Sequence, residues 1–381
     1  MKIAVFTHGF GIPTETFIYN EVKEISQMVD THVLTRKRAN SERFPFDKVE
    51  QIPFSQSRIR AKIQWELKKR DWQYNFKCAP FAGVLRSKIQ NIKPALMHAH
   101  FGPEAIRYWD NMEVPKTTPF VISFHGYDAS RMLRSKAYVK RIQQLCAEPN
   151  VSIICVSHFM KRQLAKAGIS SPRTHILYYG TDCSFFAPES GDGLAERYTF
   201  LQVSSFREKK GHVYTLEAYA RFKEANPNFE SQLILGGDGP LLEEIKAKAA
   251  SLHIEEEVHF PGLLSPTEAK ALMQKADCFV HHSITGSNGD QEGIPNAIME
   301  AMAMELPVLS ALHSGIPELV ESGENGFLIA EKNVLDYAEK MTEIIKWPKL
   351  SKNREKVLKA FERKQHAQSL LQIYQQSINS L

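Results

Sequence analysis

Short apolar runs alternate with amphipathic stretches along the whole chain. In the first half the runs fall at 2–7, 31–35, 95–100, 120–124, 152–156 and 175–178, and helical periodicity fills most of the intervals, notably 15–28 and 103–111. Runs of that length without polar alternation read as strands buried on both faces, and strands alternating with helices imply a parallel sheet covered on each side. A polar segment bearing Gly and Pro at 187–193 interrupts the pattern, which restarts with strands at 200–203 and 232–235 around a helix at 213–223. The chain is therefore expected to be α/β, two doubly wound Rossmann-like domains facing each other across a cleft. Their expected extents are 1–187 and 188–362.

One stretch, 286–312 (GSNGDQEGIPNAIMEAMAMELPVLSAL), departs from plain alternation. Small residues from Gly286 to Gly289 lead through Gly293 to Pro295, placed at a first helical position, and on to helix-forming residues 296–304. Unpaired N–H groups and the positive end of the helix dipole make such an entry a seat for an anion, phosphate above all. Glu292 before the helix and Glu300 within it stand roughly 8–12 Å apart at ~1.5 Å rise per residue, far enough to flank a diphosphate. Like charge repels, so the two carboxylates fit as acceptors for hydroxyl groups on either side of the phosphates, as on the ribose and sugar of a nucleotide-sugar. Solvated surface charge is the plain alternative for two glutamates on a helix.

Cations are expected opposite. SSFREKKGH, 204–212, occupies the first strand-to-helix turn of the second domain, where Arg207 would grip a diphosphate through two bonds and Lys210 as a point charge. Lys209 is the substitute for Lys210, and exposed turn cations are the alternative to both. In the first domain the loop 8–14 sets Gly9 and Gly11 beside a helix start, at the carboxyl end of a strand where open parallel sheets bind ligands, and Gly11 is its candidate binding residue. The pattern nearly fits G-x-G-x-x-G, but Thr14 replaces the third glycine and Thr35 the ribose-binding acid. Arg36, Lys37 and Arg38 leave an NADP-dependent oxidoreductase as a rival reading. His98, His100 and His125 near strand ends raise a zinc site; no acid or cysteine spacing completes one, and no metal is expected.

Taken together, several segments resemble the retaining glycosyltransferases of family 4, with their two-domain GT-B fold. They are DQEGIPNAIMEAMAMELPVLSALHSGIPELVESGENGFLI (290–329), PTETFIYNEV, HAHFG (98–102), FHGYD (124–128), VSHFMKRQL with YYGTD, EKKGH (208–212) and GGDGPL (236–241). They span nearly the whole chain in the family's order and are most similar to the exopolysaccharide branch that includes the colanic acid and amylovoran transferases. The resemblance implies transfer of a hexose from a nucleoside diphosphate sugar, most readily a UDP-sugar, to a lipid-linked or oligosaccharide acceptor, with no metal and no cofactor beyond that co-substrate. It assigns Glu300 to the ribose and Glu292 to the sugar hydroxyls. Gly293, Ile294 and Pro295 fall at the phosphates, Gly237 and Leu263 beside the nucleotide, and His125 near the donor sugar. It also implies that the last helix, 363–381, crosses back onto the first domain. One departure stands out: in the register set by EKKGH, Ser205 takes the place of the family's usual arginine, and Arg207 is the candidate instead.

Composition refines the partners. With 43% hydrophobic and 24% charged residues, the 381-residue chain is an ordinary globular protein of two-domain length. Five cysteines without C-x-x-C fit reduced thiols, and with no apolar run of ~18–20 residues a cytoplasmic location is expected. A net charge of +5 conceals 15 Lys/Arg against 5 Asp/Glu between Arg36 and Lys93. Within that segment 58–72 mixes Ile and Trp with basic residues, so peripheral contact with anionic lipid on the inner membrane face is expected, a solvated basic face being the alternative. No nucleic-acid motif accompanies the charge, and no nucleic-acid partner is expected.

Overall fold

A computed structural model describes residues 1–52, 66, 71, 77–112, 117–189 and 197–380. The chain divides into two compact units, Met1–Gly180 with Arg363–Leu381, and Thr181–Glu362. The division falls at Gly180 rather than 187 because residues 181–186 are fastened to the second unit. Thr181 N–H donates to the Phe361 carbonyl (2.7 Å), and Arg354 donates to the carbonyls of Cys183 (2.8 Å) and Phe186 (2.7 Å). Residues 190–193 of the expected linker lie outside the described residues, as does the basic stretch 58–72 apart from Glu66 and Asp71.

The first unit is built on β1 (Lys2–Phe10), β2 (Asp30–Arg38), β3 (Val49–Gln51), β4 (Leu96–His100), β5 (Phe120–Phe124), β6 (Val151–Cys155) and β7 (Thr174–Ile176). They form a parallel sheet in the order β3-β2-β1-β4-β5-β6-β7. The first two strands outrun their expected ends: Gly9 pairs with Lys37 and Phe10 with Arg38, so Gly9 lies within a strand rather than a loop. Only Gly11 turns, at φ 83, where a Cβ would stand 2.1 Å from the Ala39 carbonyl oxygen. Right-handed crossovers put α1 (Thr16–Ile25) on one face of the sheet and α2 (Ala79–Ile92), α3 (Gly102–Asn111), α4 (Lys136–Cys146) and α5 (His158–Lys166) on the other. The last helix, Arg363–Asn379, packs against α1. Its Leu370, Ile373 and Tyr374 share a core with Ile18, Val22 and Ile25, each buried aliphatic side chain there contributing roughly 1.5–3 kcal/mol.

The second unit contains β8 (Tyr198–Val203), β9 (Ser231–Gly236), β10 (Val258–Gly262), β11 (Cys278–His281), β12 (Val308–Ala311) and β13 (Gly326–Ile329), parallel in the order β10-β9-β8-β11-β12-β13. Its helices are α6 (His212–Ala225), α7 (Leu242–Ser251), α8 (Pro266–Lys275), α9 (Asn296–Ala303), α10 (Val334–Ile344) and α11 (Ser351–Ala360). A separate core joins Phe200, Leu216, Phe222, Leu233, Val280 and Met341. Strand order reverses between β8 and β11, and at such a point the loops leaving the carboxyl ends diverge and open a ligand-sized gap. Among the described residues no helix is long and apolar enough to cross a membrane, and all five cysteines are free and buried.

Candidate functional site

The two loops at this reversal, 204–211 after β8 and 282–295 after β11, are drawn tightly together. Ile284 N–H donates to the Lys209 carbonyl (2.9 Å). Gly211, at φ 64, lets the chains pass where a Cβ would stand 1.8 Å from the His282 carbonyl oxygen. Beneath them Gln202 donates to the Lys210 carbonyl (3.0 Å) and to Ser204 Oγ (3.1 Å), while Phe206 stacks on His212 at 4.1 Å. This scaffold aims both lysines at one carboxylate. Lys210 Nζ lies 3.0 Å from Glu292 Oε1 and Lys209 Nζ 3.5 Å from the same atom, with Asp290 3.2 Å from Lys209. Burial pushes the Glu292 carboxyl up, but Lys210 and then Lys209 outweigh it and hold it well below the ordinary carboxylate range. Lys209 is pulled down by burial and more strongly up by Glu292 and Asp290. Arg207 is exposed at the start of the turn and, with Pro240, Leu241, Gly286 and Asn288, lines a pocket of about 240 Å³.

The entry to α9 is held from the opposite side. Pro295 is the cap residue, one place before the first helical residue Asn296. Glu292 N–H donates to His313 Nε2 (3.1 Å), which leaves the ring proton on Nδ1, facing Glu331 Oε1 at 2.7 Å. Burial pushes the Glu331 carboxyl up, yet the bonds from His313 and Thr285 prevail and bring it down to about 2. Ser314 Oγ donates to the carbonyls of Glu292 (2.6 Å) and Gly293 (3.2 Å), and Gly315 N–H also reaches the latter (3.3 Å). No peptide bond among the described residues is cis, so each carbonyl held on the Ser314 side sends the next residue's N–H the other way. Those are the N–H groups of Gly293 and Ile294, both buried residues, and neither meets an acceptor among the described residues. Buried unpaired amides are rare, and two in succession at a helix entry form a seat for an anion.

The remaining sequence candidates of this unit are Glu300, Gly237 and Leu263. Glu300 is half-buried one turn into α9. Gly237, at φ 141, packs its turn on the 204–206 loop, where a Cβ would stand 2.0 Å from the Ser204 carbonyl oxygen. Leu263 is 64% exposed just past β10. His281 is fully buried at the end of β11, and neither ring nitrogen is hydrogen-bonded among the described residues; burial and then Lys210 hold it well below its usual range. His313, Ser314 and Glu331 hold the entry to α9 and are positions that the motif reading passes over. The turn-forming HSG at the carboxyl end of a strand is the one visible signal for the first two, and Glu331 carries none.

In the first unit His125 sits in an aromatic box of Phe17, Phe101 and Tyr179. Its Nδ1 meets Tyr179 Oη (2.8 Å) and its Nε2 meets His100 Nδ1 (3.0 Å), so neither nitrogen is open. Burial and then His100 hold its pKa well below the usual histidine value. The chain of contacts continues from His100 Nε2 to Glu21 Oε1 (3.3 Å) and from Glu21 Oε2 to His366 Nε2 (3.0 Å). Glu21 supplies the acid that the histidine spacing lacked: donor atoms of Glu21, His98 and His100 lie within 4.8 Å of one another. His98, however, is already bonded to Tyr374 Oη and Ser123 Oγ, both at 2.7 Å. Asp128 faces inward and accepts the N–H groups of Gly102, His125 and Gly126, pinning the loop that carries His125. Two of the three cations that kept a dinucleotide in play are engaged, Arg36 pairing with buried Glu104 (3.1 Å) and Arg38 donating to the Phe44 carbonyl, while Lys37 is exposed.

Comparison with known proteins agrees with this arrangement. The description "Glycosyltransferase Family 4" matches residues 14–185 and "Glycosyl transferases group 1" matches residues 190–363. WcaL of Escherichia coli strain K12, named for colanic acid biosynthesis as a glycosyltransferase, is 26% identical over 367 residues, covering 90% of each chain. The amylovoran biosynthesis glycosyltransferase AmsK of Erwinia amylovora is 28% identical over 369 residues, covering 87% of each. Among solved structures, Anabaena HepE in complex with UDP and glucose superposes over 100% of both chains with a TM-score of 0.76 at 20% identity. Two parallel-sheet Rossmann-like units, a cation pair on a glutamate and an anion seat at a helix entry thus coincide with matches along nearly the whole chain, and the protein belongs to the family 4 glycosyltransferases of GT-B fold.

Proposed function

We propose that the protein transfers a hexose from a UDP-sugar, with retention of configuration and without a metal, to a lipid-linked saccharide in the synthesis of a surface polysaccharide. The observation that carries this is the pair of unpaired N–H groups on Gly293 and Ile294 beside Lys209 and Lys210, a cradle shaped for a diphosphate. Arg207 and Lys210 neutralise the leaving group, Glu292 and Glu300 accept hydroxyl groups of the sugar and ribose, and Gly237 and Leu263 border the nucleotide. Preorganised donors count most where charge develops, here on the departing diphosphate. Glu292 is held by two lysines rather than free to act as a nucleophile, which favours front-face attack with the leaving phosphate taking the acceptor proton. The colanic acid and amylovoran relatives support a polysaccharide product, and the UDP and glucose bound by HepE support the donor. Peripheral attachment to the inner membrane face, and with it a cytoplasmic location, is part of the proposal and rests on the basic 36–93 segment.

The test is donor binding and turnover in Glu300→Ala and Arg207→Ala proteins. Each is expected to lose about 10–150-fold, the worth of a charged hydrogen bond of about 1.5–3 kcal/mol. Unchanged affinity and turnover in both would remove the site assignment. A thermal-shift panel of nucleotide-sugars identifies the donor, because a ligand of the folded state raises the melting point with occupancy.

A further inference from the structure

Ser314 is held at φ 50, a left-handed conformation that side chains other than Asn and Asp seldom adopt. Its neighbour Gly315 has φ −86, which any residue accepts. The chain thus places a serine where glycine would be unstrained and a glycine where none is needed. An observed backbone outlier beside a ligand seat points to a role for the strained side chain. The hydroxyl supplies that role: one donor reaches two successive carbonyls, those of Glu292 and Gly293.

We propose that Ser314 is a positioning residue for glycosyl transfer, aiming the Gly293 and Ile294 N–H groups at the diphosphate of the donor. The proposal rests on the donor reading above. Gly293 has no side chain to restrain its dihedrals, so the two peptide planes on either side of it need an external hold. Ser314 fastens their carbonyl edges, with Gly315 N–H as a second, weaker anchor at 3.3 Å. With the carbonyls fixed, both amides stay turned outward before any ligand arrives and need no reorientation as the glycosidic bond breaks. Ser314 touches neither donor nor acceptor in this account; it acts through the peptides it holds.

Three variants separate positioning from structural support. Ser314→Gly removes the hydroxyl and relieves the strain, Ser314→Ala removes the hydroxyl and keeps the strain, and Ser314→Asn tolerates the left-handed backbone while restoring an N–H donor. Misaiming oxyanion donors is expected to lower kcat about 10–100-fold in Ser314→Gly, somewhat less than the ~10²–10³ seen when such a donor is deleted. KM for the nucleotide-sugar and the melting temperature should stay close to those of the parent. Ser314→Ala should show the same kcat loss with a lower melting temperature, and Ser314→Asn should recover part of the loss. UDP and pyrophosphate, which carry the charge that the leaving group acquires only as the bond breaks, should bind less tightly to Ser314→Gly when measured by calorimetry. A Ser314→Gly protein that binds and turns over like the parent overturns this proposal alone, as does a kcat loss that follows the melting temperature across the three variants. A parent protein that binds neither UDP nor pyrophosphate overturns the donor reading and this proposal together.

Discussion

Removing the carboxylate of Glu21 is expected to loosen the last helix while leaving the second unit intact. Glu21 is 8% exposed on α1, and its oxygens lie 3.0 Å from His366, 3.3 Å from His100 and 3.7 Å from His98. Burial alone would push this carboxyl up, but His100 and then His366 hold it well below the ordinary range. In Glu21→Ala, His366 keeps its bond to the Tyr178 carbonyl (2.6 Å) and faces an empty space on its other side. Leaving a buried polar group without its hydrogen-bond partner costs about 1–3 kcal/mol. At ~2–4 °C per kcal/mol for 150–250 residues, the first unit should melt roughly 2–12 °C lower. Hydrogen exchange should show the loss concentrated in α1, β4 and Arg363–Asn379, with α6 to α11 as protected as before. Because the folded pKa lies below the unfolded value of 4.5, the carboxylate stabilises above that value and its contribution disappears as pH falls through the folded pKa. The penalty of Glu21→Ala must therefore shrink in acid. A melting shift under about 2 °C at neutral pH, or exchange spread evenly over both units, refutes the reasoning.

Three further outcomes follow from the geometry. His313→Ala strands the Glu292 N–H and should cost the second unit about 1–3 kcal/mol together with turnover, whereas His313→Gln, whose amide oxygen can take that N–H, should recover both; equal damage in the two variants counts against the contact. His98 and His212 are pushed down to about 3 and His282 to about 4, burial being the first cause in each. All three gain protons on unfolding, so stability is full above about 6.5 and falls in acid by about 1 kcal/mol per histidine at pH 5.5; a urea midpoint unchanged from pH 7.5 to 5.5 would contradict this. Gly211→Ala meets the His282 carbonyl oxygen at 1.8 Å whereas Gly262→Ala, also at positive φ, meets open space; the first should cost well over ~2 kcal/mol and the second about 1 kcal/mol, and similar costs would deny the close approach.

Most strands were legible because each is buried on both faces and stands out as an apolar run. β3, with the half-exposed sequence VEQ at a sheet edge, carries no such pattern. The far ends of β1 and β2 escaped for a different reason: Arg36 looks like a loop residue until Glu104, brought by α3, neutralises it. In the site, glycine and proline mark the entry to α9, and the EKK turn marks its cations. What holds them leaves no local trace. His313, Ser314 and Glu331 act across 18 to 22 positions through side-chain hydrogen bonds, and no periodicity records such a contact. His125 was legible as a residue at a strand end, but not the enclosure of its ring by Tyr179 and His100, since one partner lies 54 positions away and the other 25.

Because Arg363–Leu381 rejoins Met1–Gly180, the second unit is an insertion in the first, and this orders events during synthesis. When Gly180 leaves the ribosome, the seven strands of the first sheet are complete, but one flank stays bare. Glu21 awaits His366, and Ile18 and Val22 await Leu370 and Ile373. The delay is roughly 180 residues of translation, about 10–40 s at ~5–20 residues per second. Throughout it an apolar surface is open to water and to chaperones. A nascent chain arrested anywhere in the second unit is thus expected to carry a sticky, half-closed first unit, and the release of the final helix closes it.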